Sequence, residues 1–221
     1  RVSFIHQELK GLKEFYKSHG SDLLVYHGEP IELIPKIAAD LSCKKVFTNR
    51  DYEPYAIKRD RAVFENLKNK NIDFIGTKDH VVFEKNEVLK DNGTPYLVFT
   101  PYSKKWKTIF AQKYIPLFDS NKLLDKLYSV SSFQKMLSLK DIGFEENHTL
   151  FPDKKISKQT IEQYHERRNF PSQNGTSRIG LHLRFGTISI RSVVNKAVKS
   201  SETYLNELIW RDFYQMLIYQ M

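Results

Sequence analysis

Between Phe4 and Ile75 short apolar runs alternate with longer stretches of helical periodicity, and this alternation restricts the chain to an α/β fold more than any other feature does. Phe4, Ile5, Leu9, Leu12 and Phe15 fall at helical spacing with Gly20 just past them, which predicts a helix over Phe4–His19. Leu23–Tyr26 predicts a strand. A helix over Pro30–Leu41, a strand at Lys45–Thr48, a helix over Tyr55–Asn69 and a strand at Ile72–Ile75 follow. Strand, helix, strand, helix, strand at this spacing implies parallel strands joined by right-handed crossovers, hence a doubly wound parallel sheet. Such a domain normally opens on a strand, and this chain opens on a helix, so a first strand is expected upstream of Arg1.

Beyond Val81 the pattern loosens, with a turn expected at Asp91-Asn92-Gly93 and a short apolar segment at Tyr96–Thr100. Tyr114 to Ser157 is polar and weakly periodic, and helical character returns after it. The expected division is an α/β domain over 1–113, an inter-domain connection over 114–157 and the start of an all-α domain over 158–221.

Composition excludes more than it selects. With 40% hydrophobic and 28% charged residues the chain is an ordinary globular one. No apolar run approaches the roughly 18 residues of a membrane span, and the N-terminus lacks a signal-peptide core, so a cytoplasmic protein with no membrane partner is expected. Cys43 is the single cysteine, which rules out a disulfide within the chain and reads as a small buried hydrophobe. No Walker loop, G-x-G-x-x-G, H-E-x-x-H or zinc-spaced Cys/His pair occurs, so no metal site is expected. The net charge of +9 favours polyanionic partners, weakly when taken alone.

Two segments carry candidate chemistry. In Tyr164-His165-Glu166-Arg167-Arg168-Asn169-Phe170-Pro171 and Gly175-Thr176-Ser177-Arg178-Ile179-Gly180, backbone N–H groups, two hydroxyls and a guanidinium suit phosphate oxygens. The same residues also suit an ordinary inter-helix loop. In Tyr204–Met221, at about 100° per residue, Tyr204, Glu207, Trp210, Arg211 and Tyr214 share one face, opposite Leu205, Ile209, Phe213 and Met216. An aromatic plane, a carboxyl group and a cation on one face fit an unstacked base. A helix packed by its aromatics, with a Glu207–Arg211 ion pair at its edge, fits equally. Asp212, on the flank of the apolar stripe, has no account at this level.

Six segments together resemble the class I DNA photolyases of the photolyase/cryptochrome family, closest to the bacterial cyclobutane pyrimidine dimer enzymes. They are Asn49-Arg50-Asp51-Tyr52-Glu53-Pro54-Tyr55, Lys78-Asp79-His80, Phe99-Thr100-Pro101-Tyr102-Ser103, Tyr164-x11-Thr176-Ser177-Arg178, His182-x-Arg184-Phe185-Gly186-x-Ile188-Ser189, and Glu207-Leu208-Ile209-Trp210-Arg211-Asp212-Phe213-Tyr214-Gln215-Met216. They occur in the family's order. The resemblance implies a Rossmann-like antenna domain, a linker and the first part of an all-α FAD-binding domain, from a light-driven enzyme that repairs a dimer flipped out of DNA. It implies FAD as cofactor, a second antenna chromophore of unknown identity, damaged DNA as partner and a monomer at full length. Carried over position by position, it implies that Tyr164, Thr176, Ser177, Arg178, Ile179 and Tyr204 bind FAD. Glu207 and Trp210 would be catalytic, and Glu207, Trp210, Arg211 and Tyr214 would meet the dimer or DNA.

Departures are visible too. Ile190 follows Ser189 where the family usually has proline, leaving Ser189 able to cap the next helix, and Tyr55-Ala56 replaces the Asn-Glu pair of folate-antenna members, arguing against methenyltetrahydrofolate. The family's remaining flavin helices would lie beyond Met221, so the chain is expected to be truncated and inactive by itself. Two rivals stand beside repair: a cryptochrome-type signalling flavoprotein, and a non-catalytic α/β nucleotide-binding module.

Overall fold

The computed structural model describes residues 1–113, 115–146 and 149–220. The expected boundary residues Tyr114 and Met221 lie outside these. Compactness divides the chain into two units, 1–28 with 117–153, and 29–116 with 154 onward. These units cut across the division expected at 113 and 157. The physical reason is burial: elements on either side of that division share one core inside the second unit, and the presumed connection has contacts of its own in the first.

In the first unit, helix α1 (Val2–Lys17) turns its Lys13 inward, against the amphipathic pattern. The buried Lys13 ammonium pairs with Asp22 and donates to the Leu23 carbonyl at 2.8 Å, while Asp22 accepts from the Gln134 N–H at 2.8 Å. Val130 N–H donates to the Gly20 carbonyl at 3.0 Å, and the His6 ring meets the Leu137 carbonyl at 2.8 Å. The strand expected at Leu23–Tyr26 does not form among the described residues. A strand exists only where a neighbour supplies a matching ladder, and here the Leu23 carbonyl is taken by a lysine side chain instead.

The second unit begins with the α/β repeat. Helix α2 (Pro30–Asp40) and helix α3 (Pro54–Lys68) both start on proline, whose fixed φ suits the first turn and whose missing N–H is not needed there. Strands β1 (Lys45–Asn49) and β2 (Asp73–Thr77) pair in parallel, with Lys45 opposite Asp73 and Asn49 opposite Thr77. Ala38, Val63, Leu67 and Ile72 form the core between helices and strands, and the partly buried Cys43 packs against it.

The loosened region after Val81 holds a helix that periodicity had missed, α4 (Phe99–Gln112), of which the expected Tyr96–Thr100 segment supplies the start. Its Tyr102 and Trp106, four residues apart, are both 1% exposed. Short helices α5 (Lys158–Glu162), α6 (Tyr164–Arg167) and α7 (Gly180–Phe185) lead to α8 (Ile190–Val198) and α9 (Glu202–Gln220). Ser189 stands at the N-cap of α8 but makes no side-chain capping bond, so that expected cap is corrected. Val82, Phe83, Tyr102, Trp106, Val194, Ile209, Phe213 and Met216 make the larger core. Among the described residues no helix is long and apolar enough to cross a membrane.

Candidate functional site

The loop between α6 and α7 folds tightly against the end of α6. A Cβ on Gly175 would stand 2.6 Å from the Arg167 carbonyl oxygen, so only glycine permits this path. Two residues on, Ser177 accepts a hydrogen bond from the Tyr204 hydroxyl of α9 at 2.8 Å. Tyr164 and Tyr204 meet edge to face at 5.0 Å, which closes the loop over Tyr204 and explains why that tyrosine is buried although it begins the polar face. Arg178 sits at φ +52°, a left-handed conformation that a side chain adopts only under constraint. Thr176 and Arg178 are exposed, whereas Ile179 is buried at the start of α7.

On α9, one turn beyond Tyr204, the Glu207 carboxylate accepts from the Arg168 guanidinium, which also lies over the Tyr164 ring at 5.7 Å. The Glu207–Arg211 pair considered from sequence is therefore replaced by a Glu207–Arg168 pair. The Trp210 ring stacks on Phe99 of α4 at 3.7 Å with 5° between planes, and Tyr214 lies beside it at 5.4 Å. Tyr214 is exposed.

Arg211 turns away from this group. Its guanidinium donates to the His80 carbonyl, lies 3.1 Å from His80 Nδ1, and donates to the Leu183 carbonyl at 3.2 Å. Burial first, and then the Arg211 charge, hold the His80 imidazole down at about 4, so at neutral pH it is uncharged.

Sequence reasoning missed Phe99, Arg168, His80 and Asp212. Phe99, Tyr102 and Trp106 carry a helical spacing that was there to be read. Nothing local announces Asp212, whose partners are over a hundred residues away. It is 1% exposed and accepts from Trp106 Nε1 at 3.0 Å, Phe83 N–H at 3.1 Å and Val82 N–H at 3.2 Å. Burial pushes its carboxyl up to about 6, although the three donors and Arg211 pull the other way.

A concavity of about 260 Å³ lies at the carboxyl ends of β1 and β2, lined by Arg50, Asp51, Asp79, His80, Arg184 and Gly186 among others. Open α/β sheets bind ligands at this end. No group of three or more His, Cys, Asp or Glu residues able to hold a metal occurs among the described residues.

The family model for DNA photolyase matches residues 1–119, more than half of the chain. The chain belongs to the DNA photolyase family. A deoxyribodipyrimidine photo-lyase of Halobacterium salinarum is 30% identical over 99% of this chain and 50% of its own length. The chain thus spans about half the length of the photo-lyases it matches. Among solved structures, a Synechocystis cryptochrome superposes with a TM-score of 0.78 at 19% identity, over 100% of this chain and 50% of that one. The archaeal photolyase from Sulfolobus tokodaii, described with two FAD molecules, does so at 0.71 and 23%, over 99% of this chain and 48% of that one. Both likenesses give a photolyase/cryptochrome fold, in which the two-stranded parallel sheet and its helices are the α/β part.

Proposed function

We propose that the full-length protein is a photolyase that uses light and reduced FAD to split cyclobutane pyrimidine dimers in DNA. The observation that carries this reading is that a single helix, α9, holds the phosphate-suited loop through Tyr204–Ser177 and presents Glu207 and Trp210 within two turns of it. The donor set fits the cofactor. Thr176, Ser177, the backbone at Ile179 and Arg178 would hold the FAD phosphates, with Tyr164 and Tyr204 flanking them; the Arg178 guanidinium makes no hydrogen bond or ion pair to another described residue. When bound, reduced FAD supplies the light-excited electron.

The chain's own residues then have separable tasks. Glu207 meets the dimer together with its partner Arg168, whose guanidinium brings the hydrogen-bond donors and positive charge that steady the negative charge appearing on the dimer only during ring opening, where a preset charge or dipole contributes most. Trp210 offers a plane whose tilt is fixed by Phe99, and Tyr214 borders the same space. Arg211 has its donors engaged by His80 and Leu183, so it serves the lesion pocket by holding this face in place. A damaged pair is cheaper to unstack than an intact one, which supplies part of the selectivity. The division into an antenna domain over 1–113, a connection and a flavin-domain start from 158 belongs to the same reading. The 260 Å³ cavity is the place for an antenna chromophore's ring system; it lies below the range of about 300–1,000 Å³ usual for ligand pockets, so it suits a ring rather than a whole dinucleotide.

The test uses the full-length gene product. Purified protein is expected to be yellow and to restore thymine-dimer DNA in blue light, and its Glu207→Ala form to keep the colour while repairing at least about tenfold more slowly. Yellow protein that repairs nothing would favour cryptochrome-type signalling. Colourless protein would sink both flavin readings.

A further inference from the structure

Arg211 and Asp212, consecutive on α9, grip one loop from two sides. Arg211 holds His80 by its carbonyl and ring, and Asp212 receives the N–H groups of Val82 and Phe83. A second helix joins the same point, because Trp106 of α4 donates its indole N–H to Asp212. All three short contacts to Asp212 converge on its Oδ2. An apolar side chain of the same size would leave an indole N–H and two backbone N–H groups buried without an acceptor.

We infer that Asp212 is a positioning residue: the convergence of Trp106, Val82 and Phe83 on its carboxylate fixes the rotation of α9 so that Glu207 and Trp210 face a flipped-out dimer. The inference rests on the repair reading above. At about 100° per residue, Asp212 stands about 160° around the helix from Trp210 and about 140° from Glu207, so it anchors the side opposite the one they occupy. Rolling α9 stretches all three bonds together. Side chains reach roughly 5–6 Å from a helix axis, so a roll of about 10° carries the Trp210 ring by about 1 Å. A misplacement of about 1 Å is enough to lower a reaction rate about a hundredfold. The stacking of Phe99 on Trp210 and the contact of Tyr102 with Phe213, ring centres 5.0 Å apart, belong to the same α4–α9 seam and share the load.

Asp212→Asn in the full-length flavoprotein is nearly isosteric, but it offers the three donors a neutral oxygen in place of a charged one and sets an NH2 group against the Val82 N–H, which stands 3.4 Å from Oδ1. Flavin content from absorbance, affinity for undamaged DNA, affinity for dimer DNA and dimers repaired per absorbed photon are measured side by side. The expected result is unchanged flavin content and undamaged-DNA affinity with per-photon repair lower by about tenfold or more. Trp106→Phe removes one donor while keeping a ring against Phe83 and Phe110, and is expected to show a smaller loss in the same quantity. The double variant should lose less than the sum of the two, as residues sharing one interaction do.

Repair by Asp212→Asn at the wild-type yield overturns the inference. So does a variant that loses flavin and all DNA binding in proportion to repair, since that is a merely structural role. Should Asp212→Asn not fold, Trp106→Phe decides alone, and an unchanged yield overturns the inference. A wild type that binds flavin but repairs nothing fails before any variant is compared, which overturns the repair reading and this inference together.

Discussion

At the scale of single residues, two titratable groups on either side of Arg211, the buried Asp212 and the half-buried His80, oppose each other. Asp212 is raised from 3.8 to about 6 by burial, so below 3.8 its contribution to stability is fully present, and it is lost as pH rises through 6. His80 is lowered from 6.5 to about 4 by burial and by Arg211, so the unfolded chain binds the extra proton between those values and stability rises with pH. Between pH 4 and 6 the two slopes have opposite sign. Relative to the wild type, His80→Gln should therefore lose stability as pH rises from 4 to 6, while Asp212→Asn should gain over the same window. Urea midpoints of the full-length protein at several pH values read this directly, and slopes of the same sign in both variants would refute it. The other charged or phenolic groups that bear on Asp212 and His80, namely Arg211, Tyr52, Tyr102, Asp51, Asp79 and Arg184, are present in both variants and drop out of the comparison.

At the scale of elements, α9 was readable because aromatic, acidic and basic residues recur on one face at helical spacing while Leu205, Ile209, Phe213 and Met216 recur on another, and the structure buries these four, with Tyr204, Leu208 and Asp212 beside them. Strands β1 and β2 were readable from short β-rich runs between longer stretches of helical periodicity. Leu23–Tyr26 has the same local character and forms no strand, because a strand depends on a neighbour that its own residues do not encode. Arg211 and Asp212 were legible as types and not as roles: their partners His80, Val82 and Phe83 lie in a loop about 130 residues earlier. The α4–α9 seam yields its own prediction. Phe99→Leu keeps an apolar side chain but removes the ring stacked on Trp210, and should destabilise the protein by about 1 kcal/mol, the worth of an aromatic pair beyond its buried area. Chemical denaturation measures the loss, and a change in Trp210 fluorescence should accompany it. A variant as stable as the wild type would show that the seam depends on Trp106 and Asp212 instead.

At the scale of the molecule, the proposed repair activity makes charge the first determinant of how DNA would be met, before any lesion is recognised. The chain carries 35 lysines and arginines against 26 acidic residues. Several of the basic side chains are engaged internally, among them Lys13 with Asp22, Arg50 with Glu84, Arg168 with Glu207 and Arg191 with Asp79. The surplus that remains is available to phosphates. Each phosphate neutralised releases counterions, so the logarithm of affinity falls linearly with the logarithm of salt, with a slope of about −0.9 per contact on duplex DNA. If about four phosphates are engaged, affinity for undamaged duplex should fall about a hundredfold between 50 and 200 mM salt. On the proposed reading dimer DNA should show the same slope displaced to tighter binding, because Glu207 and Trp210 would act on an extruded base and add no phosphate contact. Fluorescence anisotropy titrations on the two DNAs at four salt concentrations separate the terms: parallel lines assign discrimination to the α9 face, whereas lines that converge at high salt would assign it to extra phosphate contacts and remove the basis for the lesion site.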